Sequence, residues 1–447
     1  FAQFNGEIQP FEKGKWVYLG IGNGGFYKVG FQELQQYGLS PSQIDPRTLR
    51  LFASQGAGYP DVNGPVTSSA PEIPIFVYGE ADGTFDMGDY IIFYIEPLVA
   101  FEPDNLRFNR NRHQYAQSIV AYLGTDNTTN GKRVNLLPSN NQSNVPIVYG
   151  GCVLDLIEND IQNPLGMGRV WLGEKLGNET LNRTYNTQIP NGADSTWLQF
   201  RIGASMVDET GNLNLKYGDL NFDLFLRRNI SGDEPVYTQQ FQLQTTETGN
   251  LPLNLTLTRK NSQSAAYLDY LLLQSFGKHQ NIAATDWYYP QLKNEDVSKG
   301  IFFEFSGEVA ERLVWDVSNP YLPAQLPSIT QGANQHYYHA NPVASAHLAV
   351  QVISQMKTPA YLGEIVQSTV NNQIAPTLYI TDAAFTKVLK GLYWPSINPQ
   401  SKIITLQEIY HQYSGGEPDL GAIRAYLRFL YTHYKDNNGN PILKYVT

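Results

Sequence analysis

Few places in the chain combine residue types that could do chemistry. Gly20-Ile21-Gly22-Asn23-Gly24-Gly25 spells G-x-G-x-x-G after an apolar run, and Asp45 lies at the distance of a ribose-binding carboxylate. That fingerprint needs a helix N-terminus to meet a pyrophosphate. Here Phe26-Tyr27-Lys28-Val29 follows instead, a strand, so the glycines are expected to form a hairpin turn. Asp82, Asp86 and Asp89 could approach calcium, yet their spacing is not the alternation of an EF-hand loop and no glutamate closes it. Glycine-assisted turns explain them better. His336 and His339, with His347 downstream, form the one close histidine pair. Zinc would want a third ligand at a defined spacing, and the stretch from Gln335 to Asn341 before Pro342 reads as loop, so surface or internally satisfied imidazoles are expected. Cys152 is the single cysteine, and a nucleophilic thiolate there would be disfavoured by Asp155 and Glu158 nearby. A buried structural thiol is the expectation. The sequons Asn127-Thr128-Thr129 and Asn178-Glu179-Thr180 occur at the frequency chance gives in an Asn-rich chain. No residue is thereby assigned a catalytic, cofactor-binding or metal-binding role, and no cofactor is expected.

The elements that hold these residues follow from composition and pattern. The chain has 447 residues, enough for two to four domains at roughly 150 residues each. Only 16% of residues are charged while 42% are hydrophobic and 13% aromatic, a globular profile. A formal charge of −10 opposes a phosphate backbone, and the basic pairs Lys132-Arg133 and Arg227-Arg228 are isolated, so nucleic acid is excluded as a partner. One cysteine precludes an intramolecular disulfide framework. No stretch approaches the ~20 apolar residues of a membrane helix. Phe1 to Glu7 carries neither an initiator Met nor a signal pattern, so both ends are treated as possible cut points.

Residues 1–110 read as a β-rich module of short strands (Trp16 to Leu19, Phe26 to Val29, Leu49 to Phe52, Ile75 to Tyr78, Tyr90 to Tyr94) with one helix from Phe31 to Tyr37, ended by Gly38. Residues 111–360 stay strand-like and predict a sandwich of jelly-roll or immunoglobulin kind. Its strands include Leu220 to Leu226, Gln239 to Gln244, Ala265 to Leu273, Ile301 to Phe305 and Leu313 to Val317, with Asn135 to Asn144 and Asn178 to Asn191 as long polar connections. From 361 to 447 the period changes to β-α-β-α-β: Leu378 to Thr381, a helix capped by Asp382, Lys402 to Leu406, a helix with Pro418 in its first turn, and Leu443 to Thr447. Leu420, Ile423, Leu427, Leu430 and Tyr434 give that second helix its apolar stripe. Such an order predicts a parallel, doubly wound sheet, and three strands suggest that the domain is incomplete.

The last segment also carries a resemblance. Leu378-Tyr379-Ile380-Thr381-Asp382, Ile403-Ile404-Thr405-Leu406-Gln407-Glu408-Ile409-Tyr410, Tyr413-Ser414-Gly415-Gly416-Glu417-Pro418-Asp419 and Ala422-Ile423-Arg424 resemble the opening of a gingipain-type cysteine peptidase domain. Gly14-Lys15-Trp16, Gly25 to Val29, Ile44-Asp45-Pro46-Arg47, Asp82 to Phe85, Gly88-Asp89-Tyr90, Leu268-Asp269-Tyr270 and Val314 to Val317 read like the β-region that precedes it in the surface sortases of type IX secretion. Residues 53 to 64 depart from that pattern by lacking a fuller Gly-rich signature. The resemblance implies β-modules followed by a caspase-like α/β peptidase at the cell surface of a Gram-negative bacterium. It further implies cleavage of the C-terminal domains of secreted cargo and transfer of the new carboxyl end to lipopolysaccharide through a thioester. An outer-membrane β-barrel anchor of PorV type is the implied partner. The family's histidine and cysteine are expected beyond Thr447; neither His411 nor His433 occupies a matching position, and Cys152 lies in the wrong domain. Two rival readings stand beside this one: a secreted gingipain-like protease with a β-rich pro-region, and a non-catalytic surface scaffold or adhesin.

Overall fold

The computed structural model describes residues 13–447 apart from 55–70, 105–106, 114–115, 117, 141–144, 165, 167–170, 178–179, 229–236, 281, 283, 293–299, 307–310, 332–333, 366–373 and 393–399. Among the described residues no helix is long and apolar enough to cross a membrane. The first sequon-like stretch and the Asp82 turn fall within the described residues, whereas residues 1–7, 55–64 and 178–179 lie outside them.

Two sheets form the N-terminal module. Strands Ala360–Glu364, Lys15–Ile21, Ile119–Thr125, Arg50–Ala53 and Glu72–Ile73 lie side by side, all antiparallel. Strands Gly25–Gly30, Tyr90–Ile95 and Phe76–Tyr78 make the second sheet. Strict alternation sends Val17, Leu19, Leu51, Ala121 and Leu123 from one sheet, and Tyr27, Val29, Ile91 and Phe93 from the other, into one core. Each such aliphatic side chain contributes about 1.5–3 kcal/mol when fully buried. Helix Phe31–Gln36 closes one end through Leu34. Because Lys15–Ile21 and Gly25–Gly30 belong to different sheets, Gly20 to Gly25 makes a corner between sheets and not the expected hairpin. Gly24 and Gly25 take φ of 77° and 90°, and a Cβ on Gly25 would come 2.7 Å from Asp286 Oδ1. The module also draws in strands from past the expected boundary at 110: Ile119–Thr125 and Ala360–Glu364 both pair with Lys15–Ile21. Pairing between strands distant in sequence leaves no compositional mark at that boundary.

A long sheet runs through the middle of the molecule in the order Asn135–Leu136, Ala324–Gln325, Arg312–Asp316, Leu348–Val352, Thr285–Pro290, Gly151–Glu158, Ala265–Gly277, Ala193–Ser205 and Tyr237–Thr245. Two four-stranded sheets cover its two ends, so the expected sandwich is in fact two sandwiches side by side on one shared sheet. One core joins Leu198, Phe200 and Leu271 to Leu213, Leu215 and Leu255; the other joins Val314, Leu348 and Val350 to Ile301, Phe303 and Tyr337. Two polar stretches read as connections are strands. Asn182–Ile189 lies within the Asn178 to Asn191 segment, and burial of Tyr185, Thr187 and Ile189 on one face holds it to Gly249–Thr258. Asn334–His339 pairs with Ile301–Ser306, so the histidine pair sits on a strand and not in a loop.

The last segment is α/β. Strand Thr377–Thr381 lies between Ser401–Thr405 and Tyr445–Val446, parallel to both. Helices Ala383–Leu392, Leu406–Tyr413 and Leu420–His433 make the crossovers. A core of Leu378, Ile404, Ile409, Tyr413, Ala422, Ala425, Tyr426 and Leu430 holds them together.

Candidate functional site

In an open parallel sheet, chemistry belongs beyond the carboxyl ends of the strands, where the strand order reverses. Here the chain leaves the central strand Thr377–Thr381 for Ser401–Thr405 on one side, then returns across it to Tyr445–Val446 on the other. The reversal point therefore lies past Thr381, beside Thr447, whose carbonyl accepts from Ile380 N at 2.8 Å. Backbone caps line this edge. Asp382 Oδ1 accepts from Ala384 N at 2.8 Å. Thr405 and Glu408 form a reciprocal capping box, with Thr405 N donating to Glu408 Oε2 at 2.8 Å. This box starts a helix, Leu406–Tyr413, that begins where the sequence reading still placed the strand; Thr405-Leu406-Gln407-Glu408 was the signal for it. Asp419, not Pro418, starts the following helix and accepts from Gly421 N at 2.6 Å. Of the expected stripe, Leu430 is buried and Ile423, Leu427 and Tyr434 pack against the core, whereas Leu420 is exposed; Ala422, Ala425 and Tyr426 complete the buried face.

No candidate nucleophile or base of the sequence stands at this edge. Cys152 is buried on Gly151–Glu158, on the face of the long sheet covered by Phe101 and Phe108, and burial pushes its thiol well up from the ordinary range. His433 ends a helix that runs back toward the start of Tyr445–Val446, so it lies at the opposite edge, stacked on Phe429 at 4.5 Å. The remaining imidazoles are engaged. His336 Nε2 meets Glu304 Oε2 at 2.8 Å, His339 Nε2 meets Asp316 Oδ2 at 2.7 Å, and His347 Nε2 meets the Asp286 carbonyl at 2.7 Å. Positions three apart on a strand point to opposite faces, which separates His336 from His339. Asp82 accepts from Thr84 N and Asp89 from Asp86 N, both as turn bonds.

Two clusters were not legible in the sequence. On the outer face of the long sheet, Glu158, Asp160 and Asp269 bring their carboxylates together. Three guanidiniums meet them: Arg110 and Arg112 pair with Glu158, Arg112 NH2 with Asp160 at 2.9 Å, and Arg201 with Asp269. Arg110 and Arg201 also lie over the Tyr270 ring at 4.9 and 5.4 Å. Three positive charges against three negative ones make this a self-neutralised network and leave a cation no role.

The second cluster seats the α/β segment on the N-terminal module. Trp16, Phe52, Val120 and Tyr122 form the outer face of the five-stranded sheet. Against it lies the Tyr413 to Asp419 stretch. Gly416 (φ 87°) passes so close that a Cβ would come 2.6 Å from Tyr122 Oη. Tyr122 Oη shares a hydrogen bond of 2.6 Å with His411 Nδ1, and Tyr18 meets the same imidazole edge-on at 5.0 Å. Glu417 accepts from Ser54 Oγ. His113 Nε2 faces Glu417 Oε2 at 3.6 Å and Asp419 Oδ2 at 3.7 Å. Burial raises the Glu417 carboxyl to about 8 and lowers His411 to about 4; it lowers His113 as well, against the pull of Asp419.

Comparison with known proteins places this architecture. No curated protein matches the sequence. Residues 370–447, which contain the α/β segment, match the family model described as Peptidase family C25. Over 94% of its length the chain superposes on dimeric latent PorU from Porphyromonas gingivalis, with a TM-score of 0.72 at 16% sequence identity. The chain thus has the PorU fold, and it spans 40% of that PorU chain. Alignments to the CBM36-1 domain of a multidomain xylanase from the hindgut metagenome of Trinervitermes trinervoides (19% identity, 28% of this chain, 95% of that one) and to a cycloalternan-forming enzyme from Listeria monocytogenes (10%, 52% and 18%) have TM-scores of 0.19 and 0.20 and carry no argument.

Proposed function

We propose that this chain is the N-terminal part of a cell-surface cysteine peptidase acting as a type IX sortase, which removes the C-terminal sorting domain of exported cargo and transfers the cargo to lipopolysaccharide. The observation that carries the reading is one continuous architecture: β-modules superposable on PorU lead directly into an α/β sheet whose sequence matches the C25 peptidases. In this scheme a cysteine thiolate attacks the scissile carbonyl and expels the sorting domain. An amine then attacks the thioester in place of water and regenerates the thiol. The nucleophile and its histidine belong to polypeptide following Thr447, at the carboxyl edge of the sheet. Phe385 and Val388 on helix Ala383–Leu392, and Tyr445 and Val446 on the edge strand, are exposed apolar residues that such polypeptide would cover. The β-modules would dock the cargo domain and a PorV-type barrel at the outer membrane.

Deletion of the gene in its host tests this. Cargo should then retain its sorting domain and lose its lipopolysaccharide conjugate, and a gene copy with the downstream cysteine changed to alanine should fail to restore either. Cleaved but unconjugated cargo in the deletion strain would favour a secreted protease. Full rescue by the alanine variant would favour a scaffold, and either result would overturn the sortase.

A further inference from the structure

We propose that Glu417, with His113 and Asp419, is a proton-operated latch through which pH sets whether the α/β segment stays seated on the N-terminal module. The geometry comes first. One imidazole nitrogen, His113 Nε2, faces two carboxylates at 3.6 and 3.7 Å, and all three side chains are at most 4% exposed. With both carboxylates ionised and the imidazole neutral, the pocket would hold two like charges together away from water, which disfavours the doubly ionised state. One proton relieves it. The groups belong to different bodies: His113 and Ser54 to the N-terminal module, Glu417 and Asp419 to the loop ahead of helix Leu420–His433. A change in protonation therefore acts on the seam and not inside either body.

The other titratable and charged groups around the latch come from each element packed there. Strand Lys15–Ile21 contributes Tyr18, and strand Ile119–Thr125 contributes Tyr122, whose hydroxyl burial holds protonated. Arg112, beside His113, is committed to Glu158 and Asp160. Helix Leu406–Tyr413 contributes Tyr410, His411 and Glu408, the last held by Thr405 N and Oγ. Of the acids, Glu417 is the one placed to gain a proton in the closed seam.

Closed, the Glu417 carboxyl titrates near 8; opened to water it returns to the ordinary value of 4.5. Between those values the closed state holds a proton that the open state does not, so opening releases one proton. The open fraction then rises by up to about tenfold per pH unit below pH 8 and levels off above it. His411 works in the opposite sense. Its closed value is near 4 against 6.5 when free, so below pH 6.5 opening takes up a proton, and the lowered His113 adds to this. The seam is thus tightest near pH 6.5 and below it the response turns over.

Hydrogen exchange on the intact chain, corrected for intrinsic amide rates, reads the latch directly. Protection of helix Leu406–Tyr413 and of the amides of Ile119–Thr125 should fall about five- to eightfold between pH 6.5 and 8: Glu417 alone gives about 16-fold, because its slope halves at its own value, and the two imidazoles take back the rest. Amides of Gly211–Tyr217, on a separate four-stranded sheet, serve as the reference and should hold. Glu417→Gln should abolish the fall while keeping the acceptor for Ser54, and Ser54→Ala, which removes a bond favouring the carboxylate, should move the plateau to higher pH. Protection that stays flat in the unaltered chain would overturn the proposal even if Glu417→Gln failed to fold, and a parallel fall in Glu417→Gln would do so as well. The readout involves no peptidase activity, so it stands or falls apart from the sortase reading.

Discussion

The N-terminal module has two neighbours and joins them by opposite means. Through the outer face of its three-stranded sheet it meets the long sheet: Phe26, Ile92 and Tyr94 pack on Trp315, Val317 and Ala349, with Phe26 edge-on to Trp315 at 4.9 Å. Through the outer face of its five-stranded sheet it meets the α/β segment, and there Tyr122, His411, His113, Glu417 and Asp419 lie among the aromatic rings. The first joint is mostly apolar and holds chiefly by area removed from water, with Asp286 against Gly25 and Glu96 near Tyr94 as buried carboxyls whose pKa burial raises. The second is polar, and its strength depends on every buried group keeping its partner or its proton. One joint fixes the β-modules into a single scaffold; the other seats the α/β sheet through groups that can gain or lose a proton.

The sharpest way to break this contrast is at the apolar joint. Trp315→Ala should lower global stability by about 3–5 kcal/mol, measured by urea unfolding at pH 6, with the exchange of helix Leu406–Tyr413 relative to the rest of the chain unchanged. Exchange in that helix that quickened relative to the rest in Trp315→Ala would mean that the two joints are coupled. Glu158→Ala tests whether charge itself makes a contact conditional. It leaves Arg110 and Arg112 beside a gap on the long sheet, and a loss of about 3 kcal/mol is expected from unfolding curves; because Arg112 adjoins His113, exchange in helix Leu406–Tyr413 should change as well. Tyr122→Phe is the smallest change. It removes the bond to His411, so about 1 kcal/mol should appear as faster exchange in that helix while the unfolding midpoint of the β-modules stays put.

Much of this was legible in residue order. Alternation at Leu220–Leu226 and Ala265–Gly277 gave strands, and the change of period past 361 gave the parallel sheet that the structure contains. What escaped notice had weaker local signals. Asn182–Ile189 is a strand because Tyr185, Thr187 and Ile189 find an apolar surface, although its composition is that of a loop. Helix Leu406–Tyr413 was absorbed into the strand before it, since Ile403-Ile404-Thr405-Leu406 is continuous with either element and only the Thr405–Glu408 box marks the break. The corner at Gly20 to Gly25 looked like a hairpin because a turn between two strands is spelled the same way whether or not they pair.

By itself the sequence determined the kind of most long elements and that these residues hold no disulfide among themselves, because periodicity and counting are properties of the chain. Tertiary structure alone decided which strands share a sheet across more than two hundred residues, which carboxylates meet guanidiniums, and that His113 faces Glu417. Those facts depend on groups remote in sequence arriving at one place, where burial changes what each of them costs and which of them keeps a proton.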